Sequence, residues 1–168
     1  MDILWKLKLQ VNKKFQEIVL KKFNNYLLEF CEKENIKIQI YDNIFDLNNK
    51  GYLKEENDLA VGKYICQRDT TTLKMIINDN YPLIKLTKNY NVFTLAHEIG
   101  HHLAIKNLND TEEYIADKFI MLLAEECLTN IEQHILHISL SVFSKNENYP
   151  LPKITKKDLK EFKKLNNL

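Results

Sequence analysis

The sequence predicts an α+β domain that begins with a helix, continues through a small sheet and ends in further helices. Hydrophobic residues recur at steps of three and four near residues 11–34 and again from residue 91 onward, which is the spacing of amphipathic helices. At residues 36–40 apolar and polar residues alternate instead, as in a half-buried strand. Gly and Pro number only 3 each among 168 residues, so helix breakers are few.

The N-terminal helix is followed by three predicted strands. The first covers residues 36–40, and a loop rich in Asn and Asp follows it to residue 58. Residues 59–67 and 71–78 are predicted to pair as an antiparallel hairpin, which gives an antiparallel or mixed sheet of about three strands. Residues 78–82 have the composition of a turn. The strand at 71–78 is the predicted edge to which an extended substrate could add.

After the turn at 78–82 the pattern is helical to the end of the chain. The first of these helices spans residues 91–106 and is followed by a short connection. Either Asp110 or Thr111 can cap the second helix. A third helix is predicted near residues 131–143, and the sequence Tyr-Pro-Leu-Pro at 149–152 interrupts the pattern after it.

The C-terminal residues 145–168 are predicted to form a basic helical appendage. They contain seven Lys against three acidic residues. Thr155 and Asp158 have the spacing of a capping box and mark the start of the last helix. Because the chain has no internal repeat, we expect one domain over residues 1–168.

Composition favours a soluble cytoplasmic protein that binds neither nucleic acid nor membrane directly. The chain has 24 basic and 23 acidic residues, which argues against a protein held on nucleic acid by bulk positive charge. Three widely spaced cysteines without CxxC spacing indicate a reducing compartment. Lysines interrupt the N-terminal apolar residues that a signal peptide would need, and no run of about 18 apolar residues predicts a membrane span.

The most informative motif is HExxH at residues 97–101. His97 and His101 are four residues apart, so they lie one turn apart on one helix face and both imidazoles can bind one metal ion. Glu98 lies beside them, where it can act as the general base toward a metal-bound water. The neighbouring residues are mostly apolar, and a buried helix is a costly place for two His residues without partners. The motif therefore predicts a metal-dependent hydrolase.

A catalytic zinc ion needs a third protein ligand, and the next helix offers one near its start. Glu113 can complete a His-His-Glu set, and Asp117, four residues later, can accept a hydrogen bond from the second N–H of a ligand His. A solvated, acidic first turn is the alternative role, and it suits Glu112 best. Glu112 nevertheless stays a rival of Glu113 as ligand. This donor set predicts one catalytic Zn²⁺, although Mn, Co or Fe can bind the same donors.

The sequence does not identify the residue that would stabilise an oxyanion in such a site. The candidates are Tyr90, Tyr114, His134 and His137. His102 is rotated by about 100° from the preceding His on a helix, so it either hydrogen-bonds locally or lines the cleft.

Two segments together resemble one known family. Residues 93–104 read FTLAHEIGHHLA, and residues 113–124 read EYIADKFIMLLA. This combination resembles the ImmA/IrrE family of metallo-endopeptidases, and the resemblance extends over about residues 36–125. The chain departs from the family pattern at residues 90–92 and 124–126, away from the predicted metal ligands.

The resemblance implies one metallopeptidase domain over residues 1–168 with its catalytic core at 36–125. It also implies a zincin-like fold and a gluzincin-like site. His97, His101 and Glu113 would be the zinc ligands, and Glu98 would be the general base. It also implies a protein substrate, typically a helix-turn-helix repressor of a mobile element or a stress regulon. The alternative function is a non-proteolytic, metal-binding regulator that acts by binding another protein. The oligomeric state stays open.

Overall fold

The computed structural model describes residues 12–48, 61–140 and 150–168. Within these ranges the fold is α+β, as predicted, with six helices and a sheet of three strands. The helices are α1 (Lys13–Lys33), α2 (Ile44–Leu47), α3 (Val92–Leu108), α4 (Glu113–Cys127), α5 (Asn130–Leu140) and α6 (Lys156–Leu165). The strands are β1 (Lys37–Tyr41), β2 (Gly62–Ile65), β3 (Gln67–Arg68), β4 (Met75–Ile76) and β5 (Leu83–Thr87).

Parts of several predicted elements lie outside the described residues. These parts are the start of the strand at 59–67, the end of the helix at 131–143, most of the Asn-rich loop and the beginning of the basic appendage. Among the described residues, no helix combines the length and the apolar character needed to cross a membrane.

The chain forms two compact units. One contains residues 24–120, with the sheet and α3, and the other contains the residues up to 23 and from 121 onward. The prediction of one domain over the whole chain stays a prediction.

The sheet in the unit of residues 24–120 is mixed, with the strand order β1–β5–β2. Strand β1 runs parallel to β5, with Ile38 opposite Ile84, and β2 runs antiparallel to β5, with Tyr64 opposite the same residue. Ile84 and Leu86 of the central strand are fully buried. Strand β2 is an edge of this sheet, and it lies beside α3.

The prediction of helix after the turn at 78–82 is wrong for Leu83–Thr87, because these residues form the central strand β5. The alternation of apolar and polar residues that would predict this strand is present. Ile84 and Leu86 are buried and alternate with the less buried Lys85 and Thr87, which is the pattern of a strand with one face in the core. Leu83 places a second apolar residue beside Ile84, so the alternation is less regular here than at residues 36–40.

The predicted antiparallel hairpin of residues 59–67 and 71–78 is confirmed only beside its turn. Strand β2 pairs with β5, and only two residues of β3 pair with two of β4. The carboxylate of Asp69 accepts the N–H groups of Thr71 and Thr72, which bends the chain into a turn where a strand was expected. Leu73 then adopts a left-handed conformation with φ of 59°. Residues 71–74 therefore offer no edge for a substrate strand.

The unit formed by residues up to 23 and from 121 onward contains α5 and α6. Phe15 and Phe162 meet edge to face with ring centroids 5.2 Å apart, and both are buried. The capping box that the sequence predicts at Thr155 and Asp158 is present at the start of α6. The buried carboxylate of Glu132 accepts hydrogen bonds from Lys22 and from a backbone N–H at the start of α5.

The end of α1 is linked to α3 by the carboxylate of Glu34, which lies 2.7 Å from Lys106 Nζ and 3.1 Å from His102 Nε2. The Lys106 hydrogen bond holds the pKa of this carboxyl below its usual 4.5, against the opposing effect of burial. A depressed pKa stabilises the fold at a pH above the unfolded value, and this stabilisation is lost as the pH falls through the folded value.

We therefore expect Glu34→Gln to lower the free energy of unfolding at pH 7 by about 1–3 kcal/mol. The difference from the wild type should shrink as the pH falls below 4.5. Urea unfolding between pH 7 and pH 3.5 measures it. The control is Glu32→Gln, at an exposed position on the same helix. A difference that stays constant with pH would show that the charge of Glu34 does not stabilise the fold.

Candidate metal centre

The HExxH motif lies in α3, close to the helix that the sequence predicts. The side chain of Asn91 accepts the Phe93 N–H at the start of this helix, and Asn109 ends it in a left-handed conformation. His97 and His101 fall one turn apart, and their rings are nearly perpendicular, with centroids 4.6 Å apart. Both imidazoles are mostly buried. The helix therefore presents two imidazoles on one face, as the spacing predicts.

Glu113, the first residue of α4, brings its carboxylate to both imidazoles. Its Oε2 atom lies 2.6 Å from His97 Nε2 and 3.1 Å from His101 Nε2. One donor atom of each of these three residues lies within 4.8 Å of the others, which is close enough for a shared metal ion. The Glu113 side chain is 79 % exposed, so this side of the group faces solvent.

The choice between Glu112 and Glu113 is decided by where α4 begins. The side chain of Asp110 accepts the Glu112 N–H, and the helix starts one residue later. Among the described residues, the group that could hold a metal ion contains Glu113 and not Glu112.

Asp117 follows one turn after Glu113 and reaches the other nitrogen of His97. Its Oδ1 atom lies 2.7 Å from His97 Nδ1. A carboxylate accepts this hydrogen bond, so Nδ1 carries the proton and Nε2, which faces Glu113, is the nitrogen that would bind a metal. The structure thus shows the contact between Asp117 and His97 that the sequence predicts.

Gly100 lets α4 approach α3 closely enough for these contacts. A Cβ atom at this position would lie 2.2 Å from the Ala116 carbonyl oxygen, far inside contact distance. Ala116 lies between Glu113 and Asp117 on α4. The glycine inside the HExxH motif is therefore a packing requirement for bringing both acids to the imidazoles.

We expect Gly100→Ala to separate the two helices. Helix propensity alone would raise the free energy of unfolding by about 1 kcal/mol, whereas overpacking should lower it by about 1–3 kcal/mol. Affinity for added zinc should fall as well, because Glu113 moves with α4. Urea unfolding and a zinc titration measure the two effects. The control is Asn107→Ala, at an exposed position of the same helix, which should not weaken zinc binding. A more stable variant with unchanged zinc affinity would contradict the close packing at Gly100.

Glu98 is the buried acid of the site, with 7 % of its surface exposed. Its carboxylate accepts a hydrogen bond from the Tyr64 backbone N–H, in strand β2. Burial raises the pKa of Glu98 to about 7, and the neighbouring Glu113 charge acts in the same direction. A carboxyl group with a pKa near neutrality can both accept and return a proton at physiological pH.

His97 and Glu113, which meet at the solvent-facing side of the site, have pKa values that are shifted in opposite directions. Burial alone would lower the pKa of His97, but the Asp117 hydrogen bond and the Glu98 charge outweigh burial and raise it. Burial alone would raise the pKa of Glu113, but the hydrogen bond from His97 and the charge of His101 lower it. Glu113 is therefore an anion that faces two imidazole nitrogens.

Two imidazole nitrogens and one carboxylate oxygen are a donor set that suits a catalytic divalent ion, because a fourth position stays open. Donors around a tetrahedral ion bound at about 2.0–2.1 Å lie roughly 3.3 Å apart, close to the 3.1 Å between His101 and Glu113. The 2.6 Å distance between Glu113 Oε2 and His97 Nε2 would need to lengthen slightly. The donors alone do not fix which metal binds.

The residues that the sequence offers as candidates for stabilising an oxyanion are found elsewhere in the structure. Tyr90 donates its hydroxyl to Asn24, and the ring of His134 contacts the Pro152 carbonyl oxygen. Tyr114 is exposed, with Lys118 over its ring, and His137 lies in α5. None of these contacts identifies an oxyanion-stabilising residue.

His102 is almost completely buried, and its hydrogen bonds go to Tyr64 and Glu34, which are 38 and 68 positions away in the chain. The sequence analysis misses the Tyr64 N–H on Glu98. No local pattern could reveal that contact, because it joins a strand to a helix 34 positions later in the chain.

Comparison of the chain with family models, with curated proteins and with solved structures finds no match. The function of the protein is therefore inferred from the residues of this site and from the sequence motifs that contain them.

Proposed function

We propose that the protein is a zinc-dependent endopeptidase of the ImmA/IrrE type that hydrolyses a peptide bond in a protein substrate. The observation that carries this proposal is the meeting of His97, His101 and Glu113 beside the buried carboxylate of Glu98. An HExxH helix beside the edge strand of a mixed sheet, followed by a helix with the third ligand, supports a zincin-like arrangement. Cys31, Cys66 and Cys127 are free thiols, which supports a place in the reducing cytoplasm.

In the proposed reaction each residue of the site has a separate task. A zinc ion held by the three donors would supply a Lewis acid that lowers the pKa of water and polarises the substrate carbonyl. Glu98 takes a proton from the attacking water as the new C–O bond forms. It then returns that proton to the amide nitrogen as the C–N bond breaks. Asp117 keeps the Nδ1 proton of His97 in place, so that Nε2 faces the ligand position.

The proposed substrate is a helix-turn-helix repressor of a mobile element or a stress regulon. This part of the proposal comes from the resemblance of residues 93–104 and 113–124 to the family. The near-balanced charge, with 24 basic and 23 acidic residues, supports recognition of the repressor itself rather than of the DNA it binds.

Co-expression with the DNA-binding regulators encoded beside its gene tests the proposed activity. Intact-mass analysis should show one regulator shortened at a single new terminus. Chelation of zinc should prevent this cleavage. The alternative is a regulator that binds zinc and a partner protein without cleaving it. A stable complex in which every regulator keeps its full mass would support that alternative and contradict proteolysis.

A further inference from the structure

Strand β2 lies directly against Glu98. A Cβ atom at Gly62 would lie 2.6 Å from Thr94 Cγ2 and 3.3 Å from Glu98 Oε1, so only glycine fits there without displacing them. Two residues further along the strand, the Tyr64 N–H donates to the Glu98 carboxylate. The position of this carboxylate therefore depends on the position of β2.

The Tyr64 side chain fixes β2 to the helix that carries Glu98. Its hydroxyl oxygen lies 2.8 Å from His102 Nδ1, and the two rings pack edge to face with centroids 5.6 Å apart. His102 follows the ligand His101 in α3 and is only 1 % exposed. One strand residue thus touches α3 twice, with its backbone at Glu98 and with its side chain at His102.

The second ring nitrogen of His102 also has a hydrogen-bond partner. Its Nε2 atom lies 3.1 Å from a Glu34 oxygen that also accepts a hydrogen bond from Lys106. An ionised carboxylate only accepts hydrogen bonds, so Nε2 carries the proton and Nδ1 accepts from the Tyr64 hydroxyl. Every polar atom of the His102 ring has a partner, so the ring orientation is determined.

We propose that His102 and Tyr64 are positioning residues for Glu98. The His102–Tyr64 hydrogen bond holds β2 at the place where the Tyr64 N–H orients the Glu98 carboxylate. The catalytic consequence rests on the proposed peptidase function, whereas the contact itself does not. A carboxylate that must meet a water molecule within hydrogen-bond distance is sensitive to such support, since a displacement of about 1 Å can cost roughly 100-fold in rate.

Tyr64→Phe tests the proposal, because it removes the hydroxyl and keeps both the ring and the backbone N–H. The matched control is Tyr90→Phe, which removes the hydrogen bond to Asn24, 2.9 Å long, elsewhere in the same unit. On the regulator that the wild type cleaves, Tyr64→Phe should lower kcat by roughly ten- to a hundredfold. KM and zinc affinity should stay within about twofold of the wild type. Tyr90→Phe should leave kcat unchanged. An unchanged kcat in Tyr64→Phe, or an equal loss in both variants, would overturn the positioning role.

A second measurement does not need catalytic activity. In zinc-loaded protein, amide hydrogen exchange at residue 64 should be at least about tenfold faster in Tyr64→Phe than in the wild type, and unchanged in Tyr90→Phe. Equal exchange in all three proteins would overturn the proposal. If the wild type cleaves no regulator, the peptidase function fails, and this exchange experiment still decides whether Tyr64 holds the strand on Glu98.

Discussion

Replacing Glu98 with Gln should abolish cleavage and leave zinc bound. The amide has nearly the same shape and can still accept the Tyr64 N–H, but it cannot take a proton from water. Loss of a general base typically costs 10²–10⁴-fold, so we expect kcat to fall by about 10³-fold. Zinc content by elemental analysis should stay at one ion per chain, because Glu98 is not among the donors that meet at the site.

The control for this substitution is Glu132→Gln. Glu132 is also buried, at 4 % exposure, and accepts hydrogen bonds from Lys22 and the Thr129 N–H. Its replacement should lower the stability of the fold and leave the cleavage rate per folded molecule unchanged. A Glu98→Gln protein that keeps more than roughly a tenth of the wild-type rate would show that another group is the base.

Replacing Glu113 with Ala should remove zinc without unfolding the protein. The substitution leaves two imidazoles as the protein donors, and we expect the affinity for zinc to fall by at least about 100-fold. Because the Glu113 side chain is 79 % exposed, the metal-free variant should unfold within about 0.5 kcal/mol of the metal-free wild type. Competition with a chromogenic chelator gives the affinity, and urea unfolding gives the stability.

Glu112→Ala is the matched control, because it removes the same side chain one position earlier. It should keep the zinc affinity of the wild type, since Glu112 lies outside the donor group. Equal losses in the two variants would indicate a general electrostatic attraction of acidic residues for the cation. A loss only in Glu112→Ala would show that the wrong glutamate has been assigned.

The sequence predicts the site better than the sheet, and the reason is the range of the interactions. The spacing of His97 and His101 fixes their common face within one helical turn, and the same rule relates Glu113 to Asp117. Both pairs have this arrangement in the structure. The choice between the two adjacent glutamates needs the exact first residue of α4, which hydrophobic periodicity does not resolve.

Pairing between strands depends on residues far apart in the chain, and there the sequence analysis is weakest. Asp69 binds two N–H groups in the turn between β3 and β4, whose ladder has only two residue pairs, and β2 pairs with β5 instead. The close approach at Gly62 and the Tyr64 N–H on Glu98 both follow from that pairing. The contacts around the Glu98 carboxylate therefore become visible only in three dimensions.

The proposed site binds one zinc ion through two imidazoles and one carboxylate. Burial raises the pKa of Cys31 to about 12 and that of Cys127 to about 11, so these thiols stay protonated and are poor competitors for the ion. The X-ray absorption spectrum of protein loaded with one equivalent of zinc tests this coordination. We predict nitrogen and oxygen neighbours at about 2.0–2.1 Å with the outer-shell scattering of two imidazoles. Sulfur at about 2.3 Å, or scattering from fewer than two imidazoles, would contradict this coordination.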